Sequence, residues 1–319
     1  MAGGAERVLR RRIKSVQSTK KITKAMELIA ASRIVKAQGR VAAARPYSEQ
    51  ITEVIRNLAA GGAGLDHPLL SPRDEVRTVA YVAITSDRGL CGGYNSNVIR
   101  TTERAMAADQ AAGRNVKLFV VGKKGTSYFR FRGADVEASF LGFIDAPTYE
   151  QARELAHAVA TSFDAGDVDT VELIYTQFLS AGSQRVVTRR VMPLDTSALE
   201  AAEGGGSQYE FEPGPDAILE RLLPRYAEAR LFAALLDASA SFFAAQQKAM
   251  KSATDNAEEL KKTLTRIMNR ARQDAITTEI MEIVGGAEAL RQSGAGKDDL
   301  LIDNVNPEEL FGASAGHRA

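Results

Sequence analysis

The chain has 319 residues, 45% of them apolar and 25% charged, a length that suits one large domain or two modest ones. Aromatic content is 6%, tryptophan is absent and alanine is abundant, which favours long helices with thin seams over a thick aromatic core. The net charge of +1 names no partner, and the single cysteine, Cys91, excludes an internal disulfide and any multi-cysteine zinc site. His67, His157 and His317 have no metal-ligand spacing, and no apolar run approaches the ~20 residues that span a bilayer.

Residues 5–58 read as one helical block. Leu9, Ile13 and Val16, then Ile22, Met26 and Ile29, recur in threes and fours, the spacing of a seam that pairs with another helix. The step of six between Val16 and Ile22 predicts that the stripe changes face there and that the supercoil is irregular. Pro46 removes a backbone donor and is expected to kink the helix or end a segment. Gly61-Gly62-Ala63-Gly64 ends the block. Thirteen Lys or Arg stand against four acids (Glu6, Glu27, Glu49, Glu53), and eight of the bases fall between Arg7 and Lys24. A basic, acid-free start is a feature of transit peptides, but Glu6 and Glu27 bracket the run and a basic helix face explains it equally well. Nucleic acid is another reading of this charge; no DNA-docking motif or stacking aromatic accompanies it, and an acidic protein partner fits at least as well.

From about residue 76 the period changes. Val76–Ile84, Val116–Val121 and Thr170–Tyr175 have the β-branched content of buried strands, and helical patterns at Asn95–Ala112 and Thr148–Ser162 separate them. This alternation predicts a parallel or mixed sheet covered by helices, with a further strand near Gln184–Pro193 at one edge. The turn Thr85–Asn95 could cradle a phosphate, yet Gly89, Gly92 and Gly93 do not make G-x-G-x-x-G. Gly122-Lys123-Lys124-Gly125-Thr126 likewise lacks the spacing of a P-loop. Tight structural turns or protein contacts are the better account of both. Cys91 has no histidine near it in sequence and reads as a small buried or contact residue; Asp87 and Arg88 read as a paired or partner-facing turn.

Residues 197–216 are a loop rich in Gly, Glu and Pro, and 291–319, rich in Gly, Ser, Asp and Glu, read as a disordered tail. Between them helix resumes near Asp216, with a possible bend at Pro224, and residues 249–284 contain neither proline nor glycine. Ala253, Ala257, Leu260, Leu264, Ile267 and Ala271 make a stripe in alternating steps of four and three, again a coiled-coil seam. The segments expected are 1–60 and 216–290 as shaft helices, 75–196 as the α/β domain, 197–215 as a foot loop and 291–319 as the tail. Because the chain leaves and returns to one domain, the two helices are expected to pair antiparallel.

Three blocks together resemble the γ subunit of bacterial F-type ATP synthases: Ile13–Ser32, Ile84–Asn95 and Ala249–Leu290, the last including Arg270-Ala271-Arg272-Gln273-Asp274-Ala275-Ile276-Thr277 and Glu282-Ile283-Val284-Gly285-Gly286-Ala287. The resemblance covers about residues 1–290, begins almost at residue 1 and so favours the helix over the transit peptide. It implies a fold of class α/β, with a long antiparallel coiled coil around a Rossmann-like α/β domain. It also implies a non-catalytic rotor: proton flow through the membrane c ring turns a foot, and the shaft drives the β sites of an α3β3 hexamer through ATP synthesis. The implied partners are that hexamer, the ε subunit, the c ring and, through the tail, δ, with no nucleic acid. No cofactor is expected in this chain, since Mg-ATP and ADP bind the partner subunits. The implied location is the cytoplasmic face of the bacterial cell membrane, peripherally bound.

By position, Met26 resembles the residue facing an acidic lever loop of β, and Arg88 and Cys91 resemble the segment near it. Arg272, Gln273 and Thr277 match residues that hydrogen-bond a catch loop, Tyr209 and Phe211 resemble the foot near the c ring, and Ile276–Val284 resembles a tip in an apolar sleeve. Two departures stand out. Where the family commonly has Glu and Arg before Ala-Met-Lys, this chain has Phe242, Phe243 and Gln246, so the charged contact with β is expected to shift to Lys248 or be lost. The tail is the other departure. A nucleotide-dependent reductase and a coiled-coil nucleic-acid-binding protein are the competing functions.

Overall fold

Three continuous, β-branched apolar runs make the middle of the chain a sheet, and stretches of period near 3.5 make its ends helices. The computed structural model of the protein describes residues 2–60, 69–70, 73, 75–194, 212 and 214–292. In chain order these form α1 (Ala2–Ala60), β1 (Thr78–Ile84), α2 (Tyr94–Ala111), β2 (Asn115–Val121), α3 (Lys123–Phe131), β3 (Ala138–Phe140), α4 (Tyr149–Asp164), β4 (Thr170–Phe178), β5 (Gln184–Met192) and α5 (Pro215–Gln292). The expected foot loop, with Tyr209 and Phe211, and the tail beyond Gln292 lie outside the described residues, apart from Glu212 and Gly214.

The chain divides into two compact units, residues 19–257 and residues 1–18 with 258–319. The first holds a five-stranded sheet in the order β3-β2-β1-β4-β5. β1 pairs in parallel with β2 and β4, β2 with β3, and β5 closes one edge antiparallel to β4. Side chains on β1 alternate between two cores. Ala80, Val82 and Ile84 join Leu155, Val159 and Phe163 of α4 and the apolar face of α5. Val79, Tyr81 and Ala83 join Val98 and Ile99 of α2 and Phe129 of α3. α4 starts at a capping box, in which Thr148 accepts from the Gln151 amide while the Gln151 side chain accepts from the Thr148 amide.

Within this unit α1 and α5 run antiparallel. Thr254 Oγ1 donates to Thr23 Oγ1 at 2.8 Å, the Arg33 guanidinium stands over the Phe243 ring, and Arg45 shares a cavity wall with Asp237. Positions 20, 23, 27, 30, 34, 37, 41, 44, 48, 51, 55 and 58 of α1 are all shielded and alternate in steps of three and four, with further half-buried residues beside that line at 26, 31, 33, 38, 52, 56 and 57. In the other unit positions 6, 9, 13 and 16 of α1 and 261, 264, 268, 271 and 275 of α5 are shielded, with 258, 263 and 265 of α5 half-buried beside them.

These positions correct both expected stripes. From Val16 the next shielded residue is Lys20, four on, then Thr23; Ile22 and Ile29 are 61% and 54% exposed, and the change of face does not occur. On α5 the positions Ala257, Leu264 and Ala271 hold, but the intervening ones are Lys261 and Met268, while Leu260 and Ile267 are 49% and 46% exposed. A seam of small residues and aliphatic lysine stems admits Thr and Lys, because a partner helix covers the stem and leaves the charge in water. Pro46 and Pro224 also lie inside continuous helices rather than ending them. Each is exposed, as are Ala42 and Glu220, so the carbonyl left without a donor faces solvent.

Candidate functional site

The turn after β1 is knitted to the start of α3. Asp87 accepts from the amides of Lys123 (2.9 Å) and Gly142 (3.0 Å), the Ser86 carbonyl from the Lys124 amide (3.0 Å), and Thr85 Oγ1 from the Gly125 amide (2.9 Å). The first three amides of α3 are therefore spent on the protein, and a phosphate would have to displace all three bonds. Gly122 and Gly125 are small for Thr85, not for a ligand: a Cβ at Gly122 would stand 2.3 Å from the Thr85 carbonyl oxygen, and one at Gly125 2.6 Å from Thr85 Oγ1. Among the described residues, no group of three or more His, Cys, Asp or Glu is placed to hold a metal.

The same turn is fixed to both long helices. Asp145 binds the Arg88 guanidinium through one carboxylate oxygen and faces Arg33 of α1 at 3.8 Å through the other. Arg88 lies 5.9 Å above the Phe242 ring and Arg33 5.5 Å above Phe243. Tyr94 meets Phe242 edge-on at 5.7 Å and donates to the Ala238 carbonyl at 3.1 Å. Cys91 is buried, donor Asn95 Nδ2 lies 3.3 Å from its sulfur, and burial pushes the thiol pKa up, the opposite of an activated nucleophile.

Arg88 and Cys91 thus share the turn that meets α5, and Met26 is half-buried on α1. Arg272, Gln273 and Thr277 are exposed on α5 in the other unit, with the Thr277 hydroxyl donating to the Gln273 carbonyl at 3.0 Å. Gln246 is turned inward on α5. It lies three residues after Phe243 and four before Met250, both buried, and is itself only 8% exposed. Lys248 is exposed. Sequence reasoning missed Asp145, which no motif marks, and Leu90, an exposed leucine at φ 61° on the tip of the turn. A glycine-rich stretch signals such a turn, but not which non-glycine residue takes the left-handed conformation.

The chain thus sets a five-stranded α/β domain between two long terminal helices in sequence, with the N-terminus of α3 bonded to Asp87, Ser86 and Thr85 and that of α4 closed by its capping box. A model of the ATP synthase family matches residues 5–290. The ATP synthase gamma chain of Frankia casuarinae is 53% identical over 293 residues, 90% of this chain and 98% of that one. That of Parafrankia sp. is 51% identical over 298 residues, covering 92% and 99%. The fold resembles a chain from the central stalk and c ring of Tetrahymena thermophila mitochondrial ATP synthase (TM-score 0.56, 26% identity, 73% of this chain and 99% of that one). It also resembles a chain from the OSCP/F1/c-ring structure of the Euglena gracilis enzyme (TM-score 0.65, 16% identity, 92% and 97%). The chain belongs to the ATP synthase family, among its gamma chains. No helix among the described residues is long and apolar enough to cross a membrane.

Proposed function

We propose that this chain is the rotating central stalk of a proton-driven ATP synthase and carries no catalytic group itself. The observation that carries the reading is identity of about half, sustained across nearly the full length of ATP synthase gamma chains. The shaft is α1 with α5. Its seam residues hold the helices together, and the apolar side chains left outside it, among them Ile22, Ile29, Leu260 and Ile267, meet the surrounding α3β3 hexamer. Met26, Arg88, Arg272, Gln273 and Thr277 lie on the faces that contact β, and Lys248 takes the contact that the inward-turned Gln246 gives up. The α/β domain and the foot with Tyr209 and Phe211 join ε and the c ring. Mg-ATP and ADP bind in the partner subunits, and the chain works peripherally at the cytoplasmic face of the cell membrane.

Co-purification from membranes tests this directly: a tagged chain should bring down α, β, ε and c. Inverted vesicles bearing that complex should acidify on ATP addition. A chain recovered without α and β overturns the assignment.

A further inference from the structure

One face of α5 is strongly basic and unsatisfied. Lys262, Arg266 and Arg270 follow one another at intervals of four and so stack along a single row that ends at the acid Asp274, with Lys261 beside them, lining an open groove of about 800 Å³ whose basic end lies at 261–270. Lys261 faces Glu258 at 3.9 Å, whereas the other three form no ion pair with any described residue. The chain itself carries a matching segment. Residues 298–311 contain five acids (Asp298, Asp299, Asp303, Glu308, Glu309) and no base, and they lie beyond residues 5–290 that the family shares.

We infer that this acidic segment docks on the basic groove of its own α5 in the free chain. The reach is sufficient. Arg270 lies ~33 Å back along the helix from Gln292 at ~1.5 Å per residue, and Arg266 ~39 Å back. Extended chain covers ~3.3–3.6 Å per residue, so Asp303 reaches ~36–40 Å and Glu308 more than ~50 Å from the helix end. Asp303 is thereby placed against Arg270, and Glu308 and Glu309 against Arg266 and Lys262. Tethering makes the encounter intramolecular, so several individually weak exposed pairs act together. The consequence is that the chain masks its own polycationic face from other polyanions until partner subunits cover it. This inference concerns the unassembled chain and stands or falls independently of the rotor reading.

Cysteine pairing in the full-length chain tests it without removing a charge. Asn269→Cys lines the groove, and Asn304→Cys lies beside Asp303. Ile267→Cys, on another side of α5, paired with Asn304→Cys, is the control. Under mild oxidation at low salt, the pair made by Asn269→Cys and Asn304→Cys should close into an intramolecular disulfide at least ~10-fold faster than the control, as tethered docking requires. The preference should vanish near 1 M salt, where the screening length falls to ~3 Å. It should also vanish when Asp298, Asp299, Asp303, Glu308 and Glu309 are replaced by their amides. Equal rates for the two pairs overturn the inference, as does a preference that survives both salt and neutralisation, or a rate that scales with protein concentration.

Discussion

Gly122 is the residue on which the turn after β1 depends most. Its φ of 94° lies in the left-handed region, and its missing Cβ leaves room for the Thr85 backbone at 2.3 Å. Gly122→Ala should therefore cost at least ~2 kcal/mol, combining backbone strain with a clash against backbone that cannot rotate away. Urea midpoints of the free chain measure it. Asp237 of α5 behaves differently. Burial pushes its pKa up to about 6, against the pull of Arg189 on β5 and Arg45 on α1. The folded state therefore holds this proton more tightly than the unfolded state, whose value is 3.8. Its unfavourable contribution is absent below about pH 4, grows as pH rises to about 6 and is complete above that. Asp237→Asn should raise the melting temperature at pH 7.5 and leave it unchanged near pH 3.5; an equal rise at both would show that the gain is packing, not ionisation.

At the scale of the element, the two long helices were legible and their faces were not. Long stretches with a period near 3.5 and no turn cluster place α1 and α5 to within a few residues, despite Gly39 in the first and Gly285-Gly286 in the second. The stripes chosen by apolarity, however, picked Ile22, Ile29, Leu260 and Ile267, which are outward-facing, and passed over Lys20, Thr23, Lys261 and Met268, which are shielded. In a seam this narrow, size decides what fits between helices, and apolar residues mark any surface that another body covers. A single sequence does not say which body. The distinction is measurable in the free chain. Leu264→Ala, in the seam, should cost ~2 kcal/mol or more, whereas Leu260→Ser should fall within ~0.5 kcal/mol of the parent. The sheet was legible for a complementary reason: strands buried on both faces read as continuous β-branched runs. The clamp of Asp145 on Arg33 and Arg88 was not, because it joins residues 57 and 112 positions apart across three elements.

For the whole molecule, the informative feature is apolar surface left without cover. From Ile276 to Gln292 every described position of α5 is exposed, including Ile276, Ile280, Met281, Ile283 and Val284. Monomeric proteins rarely expose contiguous apolar surface beyond a few hundred Å², and a helix apolar on several sides is built to be enclosed. Ile276, Ile280 and Ile283 are at least half exposed among the described residues, so they contribute little to the stability of the free chain. Under the proposed function they are buried on association, where burying each isoleucine is worth roughly 1.5–3 kcal/mol before ordering costs are subtracted. Replacing Ile276, Ile280 and Ile283 together by serine should then leave the unfolding midpoint of the free chain unchanged while weakening its assembly with α and β by at least ~10-fold, as expected from even ~1.4 kcal/mol of lost association energy. Titrating the labelled chain into α and β, with assembly followed by sedimentation, reads the second quantity, and thermal unfolding of the chain alone reads the first. Loss of both together would mean that the tip contributes to folding, and loss of neither would remove it from the interface.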